Sequence, residues 1–62
     1  MWIKYKNKGN LLFLNLEKAE RIALVTGYEE QYIVVEFDDR NCKITECENE
    51  SFEEIKQKLM EL

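Results

Sequence analysis

Gln31-Tyr32-Ile33-Val34-Val35-Glu36-Phe37 runs into Asp38-Asp39-Arg40-Asn41 and then into Cys42-Lys43-Ile44-Thr45-Glu46-Cys47. The first run is dense in β-branched and aromatic residues and reads as a strand over 31–37. The polar four-residue stretch has the chemistry of a hairpin loop, so 42–47 completes a second strand. From Ser51 the period changes. Phe52, Ile55, Leu59 and Leu62 fall on one stripe at helical spacing, which predicts a helix over 52–62. Ser51 with Glu54 three residues later predicts a capping box, each side chain satisfying an orphan amide. Glu53 and Glu54 suit the positive end of the helix dipole, and Glu54 with Lys58 adds an i,i+4 pair.

Outward from this segment, apolar alternation continues toward the N-terminus. Trp2 to Tyr5 reads as a first strand, Lys6 to Asn10 as a turn centred on Gly9, and Leu11 to Leu16 as a second strand. The stretch from Asn15 to Glu20 has enough helix propensity for a single turn. Arg21 to Tyr28 reads as a third strand, with Gly27 suiting a turn or bulge before Glu29-Glu30. The expected fold is α+β: one domain over 1–62, an antiparallel meander of about five short strands (2–5, 11–16, 21–28, 31–37, 42–47) with one C-terminal helix on one face.

Sixty-two residues allow one domain and a core that buries only about 60% of the unfolded surface. The chain has no His, which removes His-based dyads, triads and metal sites. No apolar run approaches the roughly 18 residues of a membrane helix, and Met1 to Lys6 lacks the features of a secretory signal. The expectation is a cytoplasmic protein without membrane attachment, in which the Asn49-Glu50-Ser51 sequon meets no glycosylating compartment. Residues 1–25 carry a net +3 and residues 26–62 a net −7. That overall balance opposes nucleic acid as a partner, except through a local basic patch.

Alternation sorts the strand residues into two sets. Leu12, Leu14, Leu16, Ile33, Val35, Phe37, Cys42 and Ile44 form the bed for the helix. Leu11, Phe13, Tyr32 and Val34 point the other way, joined by Ala23 and Val25 if Ile22 and Leu24 face the helix. A helix of this length spans roughly 18 Å and is about 10 Å across. Five strands make a sheet roughly 20–24 Å wide. A one-sided sheet should be polar on its second face, and this one is not. The excess predicts self-association, most simply a dimer, or closure of the sheet into a small barrel. The expected interface is Leu11, Phe13, Val25, Tyr32 and Val34, with aromatic anchors.

The remaining candidates carry less chemistry. Ser51 is the only serine and lacks an activating base. Glu36, Asp38, Asp39, Glu46 and Glu48 gather near one hairpin without the ligand spacing of a calcium loop and read as a solvated, aggregation-resistant edge. Cys42 and Cys47 on one strand lie roughly 17 Å apart on opposite faces, beyond the ~7 Å Cα limit for a disulfide. Two thiols supply half of a structural zinc site, so neither a metal nor another cofactor is expected. Trp2, Lys4, Lys6 and Lys8 alternate. As an edge strand they guard against pairing; the alternative is a surface for single-stranded nucleic acid.

The chain resembles short bacterial proteins that open with Met-Trp-(Ile/Val)-(Lys/Arg)-Tyr, continue into a Leu-x-Asn-Leu-type strand and end in a Ser-x-Glu-Glu helix. The matching segments are Met1 to Tyr5, Leu14-Asn15-Leu16 leading to Arg21-Ile22, and Glu50 to Ile55. In layout it is also similar to the small flagellar FlbD-type proteins, although Asp39-Arg40 stands where those tend to place Gly. Neither resemblance implies an activity or carries over a functional residue. The residues point to a non-enzymatic protein-interaction or oligomerisation module, with nucleic-acid binding through the basic N-terminal strand as the alternative.

Overall fold

The computed structural model describes residues 1–61. Its order is β1 (Trp2–Asn7), β2 (Asn10–Asn15), a 3-10 turn (Leu16–Lys18), β3 (Arg21–Thr26), β4 (Gln31–Glu36), β5 (Asn41–Thr45) and α1 (Phe52–Met60). All strand pairing is antiparallel. The expected α+β class and five-strand, one-helix sequence are therefore present.

The strands do not form one meander. They form a β1–β2 hairpin and a separate β3–β4–β5 sheet. The break falls where the 3-10 turn intervenes. The Asn15 side chain accepts from the Glu17 N–H at 3.1 Å, and the Ala19 N–H donates to the Leu16 carbonyl at 3.1 Å. The Leu16 N–H still donates across the hairpin to the Met1 carbonyl at 2.9 Å, but from Glu17 the backbone groups are used locally, and Leu16 turns into the core. The first turn is also tighter than expected. Lys8 and Gly9 alone link β1 to β2, at φ 53° and 80°, the double positive φ of a type I′ hairpin. β1 thus continues to Asn7.

Inward faces of both sheets and the helix stripe meet in one cluster: Ile3, Tyr5, Leu14, Leu16, Ile33, Val35, Ile44, Phe52, Ile55 and Leu59. Phe37 and Cys42 pack against it half-buried, while Leu12 on the same side of the hairpin stays 37% exposed. The N-terminal segment is not a fully solvated edge, because Ile3 and Tyr5 are among the core residues. Leu62, expected on the helix stripe, lies outside the described residues.

The helix start departs from a capping box. Ser51 sits at φ −94°, ψ 25°, and its hydroxyl makes no cap hydrogen bond. A cap side chain reaches the first-turn amides from an extended backbone, and Ser51 arrives from a turn instead. The Phe52 N–H goes back to the Asn49 carbonyl at 3.1 Å, and Glu53, not Glu54, forms the helix ion pair, with Lys56 at 3.2 Å.

Asn49 joins the two sheets. It is the only buried polar residue in the described core, 5% exposed. Its Oδ1 accepts from the Lys6 N–H at 2.7 Å, and its Nδ2 donates to the Lys6 carbonyl at 3.1 Å and the Thr45 carbonyl at 2.9 Å. One side-chain amide thereby satisfies both backbone groups of Lys6, as a neighbouring strand would, and ties β1 to the end of β5. The Glu48 carboxylate adds a bond from the Lys8 N–H at 2.7 Å.

Candidate interaction surfaces

Cross-strand register decides which side chains share a surface, because residues directly opposite in an antiparallel pair project to the same side. In the hairpin, Trp2 faces Asn15, Lys4 faces Phe13 and Lys6 faces Leu11. These alternate with the buried Ile3, Tyr5 and Leu14, so they form the outward face. Trp2 is 65% exposed, Phe13 64% and Leu11 52%. Two expectations that were separate in the sequence, the Leu11–Phe13 pair and the Trp2–Lys4–Lys6 row, are one surface. Lys8 leaves the row because it occupies the turn.

The three-stranded sheet has its own outward face. Ala23 opposes Val34, Val25 opposes Tyr32, and Val34 opposes Lys43. Ala23, Val25, Tyr32 and Val34 are half-buried and stand outside the core cluster. The Lys43 ammonium lies 4.2 Å from the Tyr32 ring centroid, a cation–π contact that shades the ring. Arg21 and Glu36, opposite one another, form an ion pair at one end. The five expected interface residues are thus divided: Leu11 and Phe13 on the hairpin, Val25, Tyr32 and Val34 on the larger sheet.

Charge separates the two faces further. Residues 1–16 contain three Lys and no acidic residue, and the other 46 residues carry a net −7. The charged side chains of the hairpin itself are therefore all positive, with Glu50 bordering Lys4 and Lys6 from the segment before the helix. The sheet face carries both signs, Arg21 and Lys43 beside Glu36. A third apolar exposure, Leu24 (47%) and Met60 (70%), lines a shallow groove with Ile22 and Ile33.

The titratable groups are held by structural partners. Burial pushes Tyr5 up to about 12, helped by hydrogen bonding to and the charge of Cys42 and opposed by Arg40. Cys47 is exposed, and its thiol is pushed up chiefly by hydrogen bonding to Glu30, which lowers its nucleophilic thiolate fraction. Hydrogen bonding to Arg21 lowers Glu36. Glu46 accepts from the Gln31 N–H and Glu48 from the Lys8 N–H, so both carboxylates are occupied by backbone. Among the described residues no three His, Cys, Asp or Glu side chains converge as a metal site, and no helix is long and apolar enough to cross a membrane.

Sequence reasoning missed Asn49, whose visible signal was only a sequon; its role depends on Lys6, 43 residues away. It also treated the basic row and the Leu11–Phe13 pair apart, although a two-residue turn at Lys8-Gly9 places Lys4 opposite Phe13. No family model matches the chain, and no curated protein or solved structure matches it.

Proposed function

We propose that the protein is a non-enzymatic interaction module that associates with a second copy of itself through the outward face of β3–β4–β5. The observation carrying this reading is the apolar strip Ala23, Val25, Tyr32 and Val34, outside the core and covered by no element of the described chain beyond its own cross-strand neighbours. Its rim favours a copy as occupant. With Arg21, Lys43 and Glu36 on one face, a self-docked pair can match opposite charges, whereas two hairpin faces would set Lys4 and Lys6 against their own equivalents.

Area limits the strength. Two strands of six residues and one of five present a face of roughly 14 Å by 20 Å, well below the ~800 Å² per partner of a stable complex. Association of this size is expected to be weak and concentration-dependent. Sedimentation velocity from 5 to 200 µM tests it. The expected result is a weight-average coefficient that rises with concentration, with the rise abolished by Val34→Glu and retained in Phe13→Glu. A monomer across the whole range, or equal sensitivity to both substitutions, contradicts it.

A further inference from the structure

We infer that the outward face of the β1–β2 hairpin is a binding site for single-stranded nucleic acid, with Trp2 and Phe13 as stacking platforms and Lys4 and Lys6 as phosphate contacts. Three observations converge on this face. Trp2 and Phe13 are each about two-thirds exposed, although large aromatics usually bury most of their surface. The register makes them diagonal neighbours across the hairpin, roughly 7–8 Å apart across the two strands, a spacing that lets two exposed rings serve neighbouring bases. Lys4 stands opposite Phe13 and Lys6 opposite Leu11, which interleaves cations with the rings.

Complementarity selects the partner. The hairpin from Met1 to Leu16 has no carboxylate of its own, and the acidic side chains beside it, Glu50 at Lys4 and Lys6 and Glu48 at the Lys8 N–H, lie toward its turn end, away from Trp2. Bases stack on aromatic faces without regard to sequence while the backbone follows a basic track. Interleaving also weighs against a lipid surface, because Lys4 interrupts the apolar area that would have to enter the acyl boundary. The acidic remainder of the chain opposes a polyanion and keeps binding weak. This surface is distinct from the sheet face used for self-association. A Val34→Glu monomer is expected to bind as the wild type does, so failure of either reading is distinguishable from failure of the other.

Trp2 is the single tryptophan, and its fluorescence reports directly on the site. Titration of the full chain with a ten-nucleotide oligothymidylate at about 20 mM salt is expected to quench it saturably. Two phosphate contacts predict a slope of about −1.4 in log affinity against log salt. Phe13→Ala is expected to weaken binding about tenfold, and the double substitution Lys4→Gln, Lys6→Gln to flatten the salt dependence. All these side chains are exposed, and far-UV circular dichroism verifies that the variants stay folded. Absence of quenching overturns the inference, as does quenching that the variants leave unchanged. Equal or stronger quenching by polyglutamate or by anionic phospholipid vesicles also overturns it, reassigning the face to an acidic peptide or a membrane.

Discussion

The outward faces of the hairpin and of the three-stranded sheet follow the same two-residue alternation, yet differ in what they can accept. On the sheet, Ala23, Val25, Tyr32 and Val34 shield one another, and Arg21, Lys43 and Glu36 supply both signs of charge. On the hairpin, Trp2 and Phe13 stand well into solvent, with Lys4 and Lys6 as the charged side chains of the same two strands. Apolar surplus alone therefore does not define a partner. Under the proposed function, the sign of the surrounding charge is what separates a face suited to a second copy from one that is not.

The largest expected effect comes from uncoupling the two regions. Asn49→Ala leaves the N–H and carbonyl of Lys6 without their partner at the seam, which costs about 2–3 kcal/mol. In a domain of this size that lowers the melting temperature by roughly 10 °C or more, readable by circular dichroism. Melting unchanged to within a degree or two would mean that the seam is held elsewhere.

Val34→Glu sharpens the contrast between the faces themselves. It is expected to weaken self-association more than tenfold, while Phe13→Glu, placing the same charge on the hairpin, changes it less than twofold; analytical ultracentrifugation compares them.

Tyr5, beneath the hairpin, supplies a pH test. Its folded pKa of about 12 lies above the ordinary value of 10, so the fold favours the neutral phenol. The corresponding stabilisation is complete below pH 10 and is lost as pH rises from 10 to 12. Denaturant midpoints measured over that window are expected to fall for the wild type and to fall less for Tyr5→Phe. Parallel curves would show that Tyr5 ionises as freely in the folded chain as in the unfolded one.

The smallest effect is expected at Ser51. Because its hydroxyl makes no cap hydrogen bond, Ser51→Ala should shift stability by less than about 0.5 kcal/mol, against the typical ~1 kcal/mol for a working cap. Urea titration resolves the two.

Much of this architecture is legible in the residues. Period-two alternation separates Ile33, Val35 and Ile44 from Tyr32 and Val34, and the helical stripe identifies Phe52, Ile55 and Leu59; the structure buries the core members of both patterns. Those readings are local, and alternation is a property of the backbone alone. The division into two sheets falls at the 3-10 turn, where the Asn15 side chain takes the Glu17 amide, a local choice that competes with an extension of β2. Ser51 misleads because a capping box presumes an extended backbone at the cap. The joining of Trp2, Lys4 and Lys6 with Leu11 and Phe13 follows from one geometric choice, the two-residue turn at Lys8-Gly9, since a turn one residue longer would change which residues oppose each other.

Amide NMR of the ¹⁵N-labelled protein tests the separation of the two faces most directly. Dilution from 200 to 5 µM is expected to move the resonances of Ala23, Val25, Tyr32 and Val34. Addition of oligothymidylate at low salt is expected to move the Trp2 indole and the amides of Lys4, Lys6 and Phe13, with the first group still. Shifts in the same residues under both conditions, or in neither set, would contradict the account.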